Sequence, residues 1–210
     1  MEVITKTLKK VSKAFVFVVC LAPLGWIAYL VLTGQAGANP IETTNRFLGD
    51  WALRFLILVL AITPIRKITG WNDLARFRRM IGLYAFAYAV FHVTSYVALD
   101  QFFDWTAIWA DIVKRTYITV GMVCLLMLLP LAVTSTNGMI KRLGGKRWRN
   151  LHKLVYPSGI AACLHYFMMV KADIREPLIY AGVLALLLGY RALGKLNISR
   201  AAVPDSQPLR

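Results

Sequence analysis

The sequence is short of the groups on which most soluble enzymes rely. Among its 210 residues only 10 are acidic, 3 are histidine and 3 are cysteine. Cys20, Cys124 and Cys163 all lie inside apolar runs, their number is odd, and no CxxC pair exists. That excludes a disulfide framework and a cysteine zinc site, and leaves the thiols as small apolar packing residues. No dinucleotide fingerprint follows a strand-like run. Gly144-Gly145-Lys146 is not a phosphate loop, because position 140 is Ile rather than Gly and Arg147 stands where Ser or Thr is needed. Neither NADH nor ATP binding by a known fold is therefore encoded, and electrons or energy must come from another molecule.

What is abundant is apolar surface and positive charge. Hydrophobic residues make up 58% of the chain and the mean hydropathy is +0.57. The apolar residues fall in runs of about 18–20, the length a helix needs to cross a bilayer core. Such runs must be helical, because hydrocarbon leaves backbone polar groups no other partner. The expected fold is an all-α integral membrane bundle of six transmembrane helices, at about 14–32, 48–65, 80–98, 116–134, 151–170 and 177–193, forming one domain over 1–210 with a disordered tail at about 198–210. Lys6, Lys9, Lys10 and Lys13 precede the first run in the manner of a signal peptide, yet its length and the lack of a small-x-small cleavage site read as a retained helix.

The net charge of +15 does not point to nucleic acid, since the basic residues sit between apolar runs and not on one soluble surface. They act as topology signals. The N-terminus, the 2–3 and 4–5 loops and the C-terminal end hold 19 Lys and Arg against 6 on the other side. Both termini are therefore expected in the cytoplasm. The outer loop between the third and fourth spans carries Asp100, Asp104 and Asp111 with Phe102, Phe103, Trp105 and Trp109. It is a candidate docking surface for a periplasmic protein, or an aromatic belt at the headgroups.

The three histidines, His92, His152 and His165, carry the chemistry. An ionisable residue inside a membrane helix is costly and points to function. His92 and His165 each lie five or six residues from the outer ends of the third and fifth spans, roughly 8–9 Å below the outer edge of the core. Two imidazoles at matched depth on two helices can hold one heme iron from opposite faces. Otherwise each is a core histidine bonded to a neighbouring hydroxyl or carbonyl. Arg54 lies at the same depth on the second span, as a partner for a heme propionate or as a side chain snorkelling to headgroups.

His152 stands 13 residues before His165, roughly 20 Å nearer the cytoplasm and about 140° off the same helix face. Opposite it on the third span stand Arg78 and Arg79. Neither is an iron ligand; they fit propionate pairing or plain positive-inside charge. An inner heme is thus either absent or ligated by His152 with water, a non-histidine side chain or nothing. A proton or metal transporter built on the same histidines is the alternative. Against it, there is no internal repeat and no acidic residue within the core of an expected span.

The stretches RRMIGLYAFAYAVFH (Arg78–His92) and TSTNGMIKRLGGKRWRNLHKLVYPSGIAACLHY (Thr134–Tyr166), with a W-x-x-L-H-x-L-x-Y pattern around His152, resemble the ferric-reductase-like transmembrane family. The resemblance covers nearly the whole chain and is strongest to the heme-binding membrane subunits of bacterial protein-methionine-sulfoxide reductase systems. It implies one or two hemes b on His92, His152 and His165, and an FMN. It implies a place in the bacterial inner membrane, with electrons taken from the quinol pool or a cytoplasmic flavin reductase. They would be delivered to a periplasmic molybdopterin subunit, MsrP, which reduces methionine sulfoxide in proteins. Two features depart from the wider family: the inner histidine of the third span is replaced by the Arg78/Arg79 region, and no cytoplasmic flavin–NAD(P)H domain follows.

Overall fold

A computed structural model describes the backbone of residues 2–201 and the side chains of residues 10–194. Every regular element in it is helical: α1 (Glu2–Leu32), α2 (Pro40–Thr69), α3 (Arg78–Ser95), α4 (Trp105–Lys114), α5 (Thr116–Val133), α6 (Asn137–Leu143), α7 (Gly145–Leu151), α8 (Val155–Met169) and α9 (Arg175–Ala201). Five helical stretches among the described residues are long and apolar enough to cross a membrane: Lys10–Leu32, Pro40–Thr69, Asn72–Asp100, Thr116–Val133 and Arg175–Gly194.

Local chemistry explains where these helices start and stop. α2 begins at Pro40, well before the expected Leu48. Asn39 caps it by accepting from Glu42 N at 3.2 Å, and proline suits the first turn because its missing N–H has no helical partner there. The earlier start places Asp50 well inside α2, which corrects the expectation of no acid within a span. α2 ends at Gly70, whose φ of 72° is left-handed and whose N–H returns to Arg66 O. α3 runs into a π-helical turn at Tyr96–Asp100. The aromatic segment that follows, expected as an outer loop, forms α4, capped by Asp104 accepting from Thr106 N and Ala107 N at 3.0 Å each.

The expected fifth span is interrupted. A 3-10 turn at His152–Leu154 separates α7 from α8, and α8 itself has 15 residues, roughly 22 Å and shorter than a hydrocarbon core. α9 continues through Ala201, beyond the expected start of the disordered tail; residues 202–210 lie outside the described residues.

The most extensive helix pairs are α2 with α3 and α5 with α8. α1 is tied to the first pair by two phenols: Tyr88, fully buried, donates to Cys20 O at 2.8 Å, and Tyr84 donates to Phe17 O at 2.9 Å. α9 closes on the other side, where Gly159 lets α8 approach Leu184 and Leu60. The outward surface is apolar. Phe15, Leu126 and Leu186 are 67%, 61% and 75% exposed, a pattern that is costly in water and natural where lipid is the solvent.

Candidate functional site: two imidazoles facing across the bundle

Between the two helix pairs lies a cavity of about 890 Å³, and its wall contains both His92 and His165. His92 comes from α3 and His165 from α8, and their ring centres are 6.2 Å apart with the planes turned 74°. The two half-sites are built alike. His92 Nδ1 lies 2.9 Å from Asn45 O of α2, and His165 Nδ1 lies 2.6 Å from Tyr117 O of α5. A carbonyl can only accept, so each Nδ1 carries the proton and donates. Each Nε2 then keeps its lone pair, the form in which imidazole binds a metal. Among the described residues neither Nε2 has a hydrogen-bonding partner.

The spacing can be compared with a bound metal. Two imidazoles about 2.0–2.1 Å from one ion on a common axis put their ring centres roughly 6.3–6.5 Å apart. The observed 6.2 Å fits one ion between the rings. Among the described residues no cluster of three or more His, Cys, Asp or Glu could hold a metal. Two imidazole nitrogens facing one ion would leave its remaining positions to a ligand the protein does not supply, a donor set that fits a heme.

The other expected site residues lie elsewhere. Arg54 is not in the cavity wall; its Nε donates to Tyr180 OH of α9 at 2.9 Å and its guanidinium lies over Trp51. Asp50, one helical turn earlier on the same face, does line the wall, so what keeps Arg54 out is the bond to Tyr180 and the place of its guanidinium over Trp51. The basic side chains in the wall are Arg46 and Arg115, each paired with a carboxylate on its own helix side: Glu42 at 2.7 Å and Asp111 at 3.0 Å. A hydrogen bond to Tyr117 OH and the Asp111 carboxylate raise the pKa of Arg115 above its ordinary value, so it stays charged. α4 closes one side of the cavity with Trp105, Ile108 and Trp109 in the wall, and Tyr96 OH pins it through Asp111 at 3.0 Å.

His152 does not join this pair. Its Nε2 lies 3.1 Å from Thr134 Oγ1, and its ring stacks on Trp148 at 4.0 Å. Trp148 in turn donates to Thr134 O at 3.0 Å. Arg79 donates to Asn137 Oδ1 at 2.6 Å and Arg78 to Thr63 Oγ1 at 2.9 Å. At this end the W-x-x-L-H pattern builds a hydrogen-bonded joint between α7 with the turn after it and the end of α5.

Sequence reasoning missed Asn45, Gly49, Tyr117 and Gly121. A backbone acceptor leaves no mark on residue identity. The one available signal was a glycine four residues after each acceptor, on helices that pack against the histidine-bearing ones.

The model of a ferric reductase like transmembrane component matches residues 48–163. A protein-methionine-sulfoxide reductase heme-binding subunit MsrQ from Rhodospirillum rubrum is 58% identical over 198 residues, covering 94% of this chain and 95% of the relative. Proteins of the same name from Xanthomonas oryzae and Herminiimonas arsenicoxydans are 48% and 50% identical, covering 97% and 84% of this chain and 96% and 82% of theirs. These matches, with the apolar helices and the paired histidines, show that the chain is a multi-pass membrane protein that belongs to the ferric-reductase-like transmembrane family and, within it, to the MsrQ subunits.

Proposed function

We propose that this chain holds one heme b between His92 and His165 and carries electrons outward across a bacterial inner membrane to a periplasmic methionine sulfoxide reductase. The observation that carries the reading is the 6.2 Å separation of two imidazoles whose Nδ1 atoms are both committed to carbonyls. The heme would supply a one-electron Fe(III)/Fe(II) couple, shielded from water by the bundle. The carbonyls of Asn45 and Tyr117 fix the ring orientation and tautomer of the ligands. Arg46 and Arg115, at the outer mouth of the cavity, are the partners for propionates, in place of Arg54. α4 covers that mouth and keeps bulk water from the apolar wall.

Counting the interrupted α7–α8 segment as a span gives six crossings with both termini in the cytoplasm, which the 19-to-6 split of basic residues supports. The histidine pair then lies toward the periplasm, near the exit face. The acceptor is the molybdopterin subunit MsrP, and the donor is quinol or a cytoplasmic flavin reductase. The relatives' names, which specify a heme-binding subunit of a protein-methionine-sulfoxide reductase, support the cofactor and the reductase system.

The second reading, a histidine-based metal or proton transporter, gains one observation: Asp50 lies in the cavity wall. It loses on the donor set, because no cluster of three protein ligands accompanies the histidines among the described residues. Dithionite-reduced minus oxidised spectra of the purified chain decide between them. A b-type band in the wild type is expected; a folded chain without heme under heme-sufficient expression overturns the proposal.

A further inference from the structure

The two half-sites share a feature beyond the histidine and the carbonyl. The residue four positions after each acceptor is glycine: Gly49 after Asn45, and Gly121 after Tyr117. In an α-helix the carbonyl of residue i receives the N–H of residue i+4. The Cβ of that residue leans back toward the helix N-terminus, beside the same carbonyl. A side chain there occupies the space from which a second donor reaches the carbonyl's other lone pair. A Cβ on Gly49 would stand 3.1 Å from both Nδ1 and Cε1 of His92, and one on Gly121 would stand 2.9 Å from the same atoms of His165. Neither glycine has a positive φ, so backbone freedom is not the reason for its presence.

We propose that Gly49 and Gly121 are positioning residues for the two axial ligands. Each opens a helix carbonyl to a second hydrogen bond and so fixes the height and rotation of the imidazole. The inference rests on the heme reading above and adds what sets the ligand geometry. Gly121 has the smaller clearance and a shorter carbonyl bond at its histidine, 2.6 Å against 2.9 Å, so its substitution has the larger effect.

The test compares Gly121→Ala, Gly49→Ala and Gly159→Ala in the purified, heme-loaded chain. Gly159 is the control: its Cβ would also be tight, 3.2 Å from Leu184 Cδ1 and 3.3 Å from Leu60 Cδ1, but no histidine is beside it. Gly121→Ala is expected to convert most of the heme from a low-spin form to a high-spin form that binds carbon monoxide when reduced. Gly49→Ala does so to a lesser extent, and Gly159→Ala keeps the wild-type spectrum. A double variant separates ligand positioning from helix packing. With the ring removed in His165→Gly, adding Gly121→Ala should leave protein yield and thermal stability as in His165→Gly alone. Unaltered low-spin spectra in both alanine variants, or a double variant as impaired as a misfolded Gly121→Ala, overturn the inference while leaving the heme reading intact. A wild-type chain without heme overturns both.

Discussion

The two ends of the interrupted α7–α8 segment each carry a histidine, and the two are treated differently. His165 bonds through Nδ1, leaves Nε2 without a hydrogen bond and lines a cavity across from a second histidine. His152 spends Nε2 on Thr134 and its ring face on Trp148. The difference lies in which nitrogen is committed. At His92 and His165 the committed nitrogen is Nδ1 and Nε2 keeps its lone pair; at His152 the committed nitrogen is Nε2 and Trp148 covers the ring face. The 3-10 turn at His152–Leu154 reinforces the contrast, because it breaks the helical phase between the two positions.

Substitutions can break or sharpen this comparison. The largest effect belongs to the outer pair: His92→Ala or His165→Ala removes the low-spin heme spectrum, read by absorbance of the purified variants. A smaller effect belongs to the mouth of the cavity. Arg46→Gln or Arg115→Gln removes a positive charge near the iron and stabilises the oxidised form. The midpoint potential then falls by on the order of 1 kcal/mol, about 40 mV for one electron, at these half-exposed positions; redox titration checks it. At the inner end His152→Ala keeps the outer heme and its spectrum while losing a hydrogen bond and a stacking contact, about 1–2 kcal/mol of stability. Thermal unfolding followed in detergent measures that loss. Arg54→Leu is expected to move the heme least: content and potential stay at wild-type values while the bond to Tyr180 is lost, and a fall in potential matching that of Arg115→Gln would return Arg54 to the cavity.

Much of this arrangement was legible in the residues. Apolar run length locates the long helices, and counting residues from span ends brings His92 and His165 to one level. What counting cannot deliver is which neighbour a side chain takes. Arg54 has the right height, but it bonds to Tyr180 of α9, and only the packing of α2 against α9 reveals it. The place of His152 escapes counting for another reason: the apolar run reads as one helix, whereas a turn at His152–Leu154 resets its phase. α4 reads as loop because its aromatics and acids match an interfacial segment, although Asp104 followed by an apolar-rich stretch is a recognisable N-cap. The carbonyls of Asn45 and Tyr117 were invisible, since every residue has one; only the glycines that uncover them differ in identity.

The most direct test is the stoichiometry of bound heme in the wild-type chain, measured as pyridine hemochrome per polypeptide and paired with the low-temperature EPR spectrum. One heme per chain with a single low-spin species is the predicted result. Two hemes per chain, or a second low-spin signal lost in His152→Ala, would contradict the assignment of one metal-binding pair and one structural histidine.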